Sequence, residues 1–288
     1  MTDLILAIFL SSLIFVIFKL FPVFKIDTFQ AIVFNYISAF LCGYVLFKNV
    51  WKPEALENPT WISFAFLAAL LFISLFVLMG KSAQINGVAA TSVAVKMSMA
   101  IAVFGMVFLY NEQLGFQKIS ALFFAFSGVL LVSWTKKTED AKNQKWWMLL
   151  VLFIGSGILD LLLNYVQKTQ LHNISSAIFS ATGFGLAGII GLMILIIQVI
   201  RKKIQIELKN VIGGIILGVP NFFSIYLLML AYESVSWEDS SVLAVINVSI
   251  VCISTLCGLF IFSEKFSILK SIGLLSSIFA IYLFYLAN

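Results

Sequence analysis

Charged residues are scarce in this chain, and that scarcity excludes a water-soluble fold. Asp, Glu, Lys and Arg make up 11% of its 288 residues and hydrophobic residues make up 62%, whereas a soluble domain carries about 25% charged and about 45–50% apolar residues. The chain also lacks a GxxxxGK[ST] segment, which excludes the phosphate-binding loop of ATP-driven proteins. Its three cysteines, Cys42, Cys252 and Cys257, lie in apolar stretches where a thiol behaves as a small hydrophobe. We therefore expect neither a disulfide nor a metal site.

What the chain contains instead is a series of long apolar runs. Ten of them approach the ~20 residues that a helix needs to cross a bilayer, and helices satisfy their own backbone N–H and C=O groups in lipid. Four of the six tryptophans lie at the ends of these runs, as in the aromatic belts of membrane interfaces. The sequence therefore predicts an all-α integral, multi-pass protein, which we expect in the cell (inner) membrane. The predicted transmembrane helices are 3–20, 29–47, 61–79, 87–110, 116–134, 146–167, 174–198, 210–232, 240–262 and 267–286.

A repeat links the ends of the two halves of the chain. The segment LYNEQLGFQKISALFFAFSGVLL (109–131) matches IFSEKFSILKSIGLLSSIFAIYL (261–283) at an offset of 152 residues. The offset places Glu112 on Glu264, each in a short loop between two apolar runs. A chance match of two short glutamate-containing loops is the alternative that the sequence leaves open.

Five predicted spans lie on either side of the polar segment 136–145, and this odd number has a topological consequence. If both halves derive from one ancestral unit, the second must enter the membrane inverted relative to the first. Inverted repeats of this kind place a substrate site near the bilayer midplane and work by alternating access. We therefore predict two inverted five-helix repeats, residues 1–135 and 146–288, joined by the polar loop.

The loop charges predict an orientation and a type of partner. Thirteen lysines and arginines fall in loops on one side of the membrane and four on the other. Because basic loops face the cytoplasm, this count places both termini outside. The net charge of +5 is spread over the loops, which suits contact with anionic lipid headgroups. Nucleic acid would need a concentrated basic surface and is not an expected partner.

Two halves of five spans, each with a glutamate-bearing loop before its last helix, resemble the EamA-type branch of the drug/metabolite transporter (DMT) superfamily. The residues GlnLeuGlyPhe at 113–116 resemble the family's short polar turn after a glutamate. The resemblance covers essentially the whole chain and implies an exporter or exchanger without a cofactor and with both termini in the cytoplasm. The chain departs from the family at Ser98 and Ile250, where the family often has a proline.

Lys96 is the first candidate site residue, because it lies well inside the fourth predicted span. A charge at the bilayer centre costs at least ~2.5–3.5 kcal/mol, so such residues normally face a cavity or a partner. Lys96 is therefore a candidate anchor for a carboxylate or phosphate of a substrate. The alternatives are a structural ion pair and a side chain that reaches from the helix toward the membrane interface.

Asp160 is the natural partner of Lys96, since it is the one acidic residue deep inside a predicted span. Burial disfavours a charged carboxylate, so Asp160 is the candidate for binding and releasing a proton during transport; neutralising Lys96 is the alternative. Asn164 lies four residues further on the same helical face. The other polar side chains of the spans would line the same cavity or form interhelical hydrogen bonds. They are Asn35, Tyr36, Asn221 and Asn247.

The polar residues of the loops have simpler predicted roles. Glu112 and Glu264 are predicted to cap the helices that follow them, since negative charge is favoured at a helix N-terminus. Glu233, Glu238 and Asp239 are predicted to form a solvated acidic mouth, and His172, the single histidine, to be a solvated loop residue.

These features predict a secondary transporter, an exporter or exchanger of a small polar or anionic metabolite, with proton coupling left open. We expect no catalytic residue, no enzyme activity, no cofactor and no bound metal. Two alternatives remain: an intramembrane lipid-modifying enzyme, and a non-transporting membrane partner protein of the same fold. The expected partners are a small-molecule substrate and membrane lipids, and a homodimer is left open.

Overall fold

The structure, a computed structural model, describes residues 1–50, 60–86, 88–133, 145–171, 175–201, 204–261 and 268–287. Within these ranges the regular elements are α-helices and one short 3-10 helix, Lys48–Val50. The α-helices are α1 (Thr2–Leu20), α2 (Thr28–Leu46), α3 (Thr60–Ile85), α4 (Val88–Met97), α5 (Met99–Tyr110), α6 (Phe116–Ser133), α7 (Trp146–Thr169), α8 (Ser176–Ile200), α9 (Leu208–Ser234), α10 (Asp239–Phe260) and α11 (Ile268–Ala287).

The length and the apolar character of these helices confirm the predicted class of protein. In the described ranges, nine helical stretches are long and apolar enough to cross a membrane, and Phe116–Leu131 is a shorter apolar stretch. Exposed apolar side chains follow the helical period, as on α7, where Val151, Ile154 and Ile158 form one stripe. Such a surface suits lipid, whereas a helix facing water would carry polar residues there. The chain is therefore an α-helical, multi-pass membrane protein.

The fourth predicted span, 87–110, is one apolar stretch whose helix is distorted at a single residue, Ser98, with backbone angles that stay helical (φ −57°, ψ −21°). Ser98 separates α4 from α5. Its hydroxyl donates to the carbonyl O of Val95 at 2.5 Å, an acceptor that a continuous helix would pair with the backbone N–H of residue 99. A serine side chain that competes for a helical carbonyl can interrupt the ladder. The helix is thus distorted at Ser98 without a proline, and the apolar helical stretch Val93–Tyr110 continues across it.

The chain divides into two compact units, which are described separately. Unit 1 comprises residue 1 with 78–161 and 234–288, and unit 2 comprises 2–77 and 162–233. Each unit contains helices from both halves of the chain. The division into two sequence repeats around the polar loop therefore stays a prediction, and residues 136–144 of that loop lie outside the described residues.

In unit 2, α2 and α8 pack closely because glycines of α8 face large side chains of α2. A Cβ placed on Gly185 would lie 2.9 Å from the ring of Phe40, and one placed on Gly191 would lie 3.0 Å from a methyl group of Val33. Small residues of this kind let two membrane helices approach each other. Gly185 precedes Gly191 along α8, whereas its partner Phe40 follows Val33 along α2, so the two helices are antiparallel.

In unit 1, α6 packs against α11 around Gly128. A Cβ placed there would lie 2.9 Å from the carbonyl O of Gly273, so a glycine is what allows this approach. One turn earlier on α6, the carbonyl O of Phe124 accepts a hydrogen bond of 2.8 Å from the hydroxyl of Ser276. The ring of Phe124 also meets Phe279 edge-on, with 4.9 Å between centroids. These contacts make α6 and α11 antiparallel as well.

Candidate functional site

Lys96 lies in the last turn of α4, in unit 1, and α10 holds its side chain. The residue is 9% exposed, and its Nζ donates to Oδ1 of Asn247 at 3.1 Å. Nδ2 of Asn247 donates to the carbonyl O of Leu243, one turn earlier in α10, at 3.2 Å. Because the amide N–H is used within α10, the amide oxygen is directed at the ammonium. The structure thus brings the predicted residues Lys96 and Asn247 into contact.

The packing of α7 against the distorted helical turn at Ser98 positions Asp160. A Cβ placed on Gly157 of α7 would lie 2.8 Å from the carbonyl O of Ser98 and 2.7 Å from Cβ of Ile101. The glycine therefore lets α7 cross directly against the end of α4 and the start of α5. Asp160 follows Gly157 by three residues, and its charge acts on the ammonium of Lys96.

Asp160 does not belong to the lipid-facing stripe of α7. It follows the exposed Ile158 by two residues, which is a rotation of roughly 200° at 3.6 residues per turn, and it is half-buried. Among the described residues, Lys96 is the charged group that acts on it. The site therefore combines one ammonium, one carboxylate and one amide, and its net charge is zero when both charged groups are ionised.

This combination can bind an anionic or mixed-charge polar group. An ammonium carries three N–H donors, and hydrogen bonds between an ammonium and a carboxylate or phosphate are about twice as strong as neutral ones. Asp160 adds an acceptor whose charge depends on protonation. Binding and release of an anion, and of a proton, are the chemistry that these three side chains offer.

Four other predicted site residues, Asn35, Tyr36, Asn164 and Asn221, lie in unit 2. Tyr36 is fully buried, and its hydroxyl donates to the carbonyl O of Phe72 at 2.9 Å. That is the interhelical hydrogen bond that the sequence left as the alternative to substrate contact. Both side-chain polar atoms of Asn35, and Nδ2 of Asn221, are buried without a hydrogen-bond partner among the described residues. Buried polar groups are normally paired, so these two amides mark places where water or a polar ligand would be stabilised.

A second charged cluster in unit 1, here called the Lys118 network, was not predicted. Lys118 lies in the first turn of α6 and is 3% exposed. Its Nζ lies 3.1 Å from Oε2 of Glu112 and also pairs with Glu238. The carboxylate of Glu112 accepts hydrogen bonds from the hydroxyl and the backbone N–H of Ser240. The network therefore joins the start of α6 to the start of α10.

Two predictions about loop residues are wrong. Glu112 caps α10 through Ser240 rather than α6, the helix that follows it in the chain. Asp239 is buried at 2% exposure and is therefore not solvated as predicted, and Glu238, although 38% exposed, pairs with Lys118. The predicted roles of Glu264 and His172 fall on residues outside the described ranges. Within those ranges, no group of three or more His, Cys, Asp and Glu side chains could hold a metal ion.

Replacing Lys118 with glutamine is expected to lower the free energy of unfolding by about 3 kcal/mol. Removing one partner of a buried ion pair leaves the other charge uncompensated, and Glu112 is 7% exposed. Glu238→Gln is the matched control: at 38% exposure its carboxylate is screened by solvent, and we expect a loss below about 1 kcal/mol. Thermal unfolding in detergent, followed by tryptophan fluorescence, measures both variants. Equal losses would contradict the network's role.

The fold and the site define an α-helical multi-pass membrane protein with a buried ammonium, a buried amide and a half-buried carboxylate in one unit. No protein-family model matches the chain. A protein of Haemophilus influenzae, described as an uncharacterized protein, is 32% identical over 294 residues, which span 99% of this chain and 98% of that protein. The chain belongs to the same family as this Haemophilus influenzae protein.

A solved crystal structure, described only as that of a protein, has a similar fold. It matches 99% of this chain and 96% of its own chain with a TM-score of 0.76, at 11% sequence identity. At that identity the likeness shows the fold alone. The arrangement of helices in this chain is thus one that occurs in a crystal structure.

Proposed function

We propose that the protein is a secondary transporter, an exporter or exchanger of a small polar or anionic metabolite, and a member of the EamA-type branch of the DMT superfamily. The observation that carries this proposal is the buried Lys96, which Asn247 holds and whose charge Asp160 balances. A charge inside a membrane-spanning helix is costly, and such residues mark substrate or ion pathways. Alternating access would expose this site to the two sides of the membrane in turn.

Two helix pairs support an arrangement of ten helices as two inverted five-helix repeats. Tyr36 of α2 lies against Gly188 of α8, and Phe124 of α6 accepts a hydrogen bond from Ser276 of α11. The two residues of each pair are 152 residues apart, which is the offset of the sequence repeat. When a pseudo-twofold axis relates two repeats, a residue contacts its equivalent in the other repeat only near that axis. An axis in the membrane plane makes equivalent helices antiparallel, as they are in both pairs.

The position of the site fits the same arrangement. Lys96 and Asn247 are 151 residues apart, one residue from the repeat offset, so their contact lies next to such an axis within unit 1. Transporters with inverted repeats bind substrate at the repeat interface, and discontinuous helices commonly form the site. The helix is continuous across Ser98, two residues after Lys96, but it is distorted at this point.

A thermal-shift screen of the purified protein tests the proposal. The ligands are amino acids, organic acids, phosphorylated sugars and nucleotides, and the proteins are the parent, Lys96→Ala and the control Lys209→Ala. Lys209 is 43% exposed and pairs with the neighbouring Glu207, so its loss should not affect the site. We expect a ligand class that stabilises the parent and Lys209→Ala but not Lys96→Ala. A ligand shift that is the same in all three proteins would contradict a substrate site at Lys96.

The charge count predicts that the connection between α5 and α6 faces outward and the polar loop 136–145 faces inward. In a chain whose native cysteines are replaced, we expect an impermeant maleimide to label Gly115→Cys in intact cells. A Cβ on Gly115 meets no atom within 4 Å, so a thiol there is accessible. Lys142→Cys should be labelled only after the membrane is permeabilised. The reverse pattern would place the termini in the cytoplasm, as the family resemblance implies.

A further inference from the structure

The charge balance of the Lys96 site leads to a coupling rule. We propose that one monoanion binds at Lys96 together with one proton at Asp160, so that the empty and the loaded site carry the same net charge and transport is electroneutral. This inference rests on the proposed function and specifies its substrate class and its coupling ion.

The first step concerns the empty site. Gly157 of α7 packs against the carbonyl O of Ser98, two residues after Lys96, so Asp160, one turn further along α7, lies near the end of α4; the charges of Lys96 and Asp160 sum to zero. A carboxylate or phosphate monoanion that binds the ammonium takes over the role of counter-charge and leaves Asp160 without one. An uncompensated buried charge is strongly unfavourable. A proton from water that binds a carboxylate oxygen of Asp160 converts it to the neutral acid and restores a net charge of zero.

The second step concerns the groups around Asp160. From α4 the charged group is Lys96, and α5 places Ile101 against α7 at Gly157 and Gly105 against Leu161, none of which titrates. Asn247 cannot take up the proton in place of Asp160, because an amide is neutral in this range and its N–H is already donated to Leu243. Among the described residues of unit 1, the Lys96 site therefore has one proton acceptor.

The third step concerns Asn247, which we assign as a positioning residue for Lys96. Its amide oxygen accepts from the ammonium, and its own orientation is fixed within α10. The bound anion replaces Asp160 as the counter-charge, so Lys96 stays charged when Asp160 becomes neutral, and Asn247 keeps the ammonium in place during this exchange.

The experiment measures proton uptake during binding of three monocarboxylate probes, acetate, L-lactate and benzoate. Calorimetric titrations in buffers of different ionisation enthalpy give the number of protons taken up per bound anion. We expect one proton for the parent and none for Asp160→Asn. The dissociation constant of the parent should rise about tenfold per pH unit on the alkaline side, the slope for one linked proton, and that of Asp160→Asn should be independent of pH.

Two further variants keep the test decisive. Asp160→Glu retains a titrating carboxyl and should again take up one proton, which distinguishes a titration effect from damage to the fold. Glu207→Gln, on a residue that is 57% exposed, should behave like the parent.

In proteoliposomes a pH gradient should drive uptake of the bound probe, whereas a potassium diffusion potential should not.

The outcomes separate this inference from the proposed function. Binding that requires Lys96 but takes up no proton in the parent would overturn the coupling rule and leave a transporter with its site at Lys96. Uptake driven by the membrane potential would do the same. A protein that binds none of the three monocarboxylates would overturn the substrate class, and the broader ligand screen would decide on the proposed function separately.

Discussion

Replacing Lys96 with alanine is expected to abolish ligand binding and transport while leaving membrane insertion intact. A hydrogen bond to a charged group contributes about 1.5–3 kcal/mol, so the loss of the ammonium should weaken binding of an anion by roughly 10–100-fold or more. Insertion should not suffer, because the substitution removes a charge that is costly in a membrane helix. Equilibrium binding and proteoliposome uptake measure the first effect. The yield and elution profile of the protein after detergent extraction measure the second.

The control for this prediction is Lys209→Ala, which removes an exposed lysine of similar size. The parent and this control should bind equally. Unchanged binding in Lys96→Ala would show that the ammonium does not contact substrate. Loss of folded protein in Lys96→Ala would instead assign Lys96 to structural pairing with Asn247 and Asp160.

Replacing Gly157 with alanine is expected to lower stability by about 1–3 kcal/mol, the usual cost of overpacking, and to weaken binding at Lys96. The added methyl group would meet a backbone carbonyl, that of Ser98, and the branched Cβ of Ile101. Neither can move without shifting a helix. Since α7 carries Asp160, any displacement also changes the distance between Asp160 and Lys96. Thermal unfolding and a binding isotherm measure the two effects.

Gly115→Ala is the matched control for Gly157→Ala. It makes the same chemical change at a glycine whose added Cβ would meet no atom within 4 Å, so we expect stability and binding close to those of the parent. If Gly157→Ala were as harmless as Gly115→Ala, the close crossing of α7 with the end of α4 would not be what positions Asp160.

The parts of the fold that depend on composition and local pattern could be predicted from the sequence. The helices coincide with the apolar runs because lipid offers no hydrogen-bond partner, so the backbone N–H and C=O groups must pair with each other within a helix. The contact between Lys96 and Asn247 was also within reach, since the repeat offset places Asn247 on Val95, the neighbour of Lys96. For Tyr36 the sequence left two roles open, lining a cavity and forming an interhelical hydrogen bond, and it could not distinguish between them.

The distortion of the helix at Ser98 and the Lys118 network could not be predicted, for physical reasons that differ. Serine is compatible with a helix interior, and whether its hydroxyl takes a backbone carbonyl depends on the surrounding packing. The contact of Lys118 with Glu238 joins residues 120 positions apart, at the starts of α6 and α10, and no local sequence pattern links them. The sequence assigned Glu112 to the N-terminus of α6, the next helix in the chain, whereas the tertiary fold places its carboxylate at the N-terminus of α10.

The most direct measurement of transport at the Lys96 site is exchange across a membrane. Proteoliposomes are loaded with an unlabelled ligand identified by the thermal-shift screen and diluted into a trace of the same ligand carrying a radioactive label. We predict that the parent and Lys209→Ala accumulate the label by exchange, and that Lys96→Ala accumulates no more than empty liposomes. Binding without exchange in the parent, or exchange that persists in Lys96→Ala, would contradict a transporter that carries its substrate on this lysine.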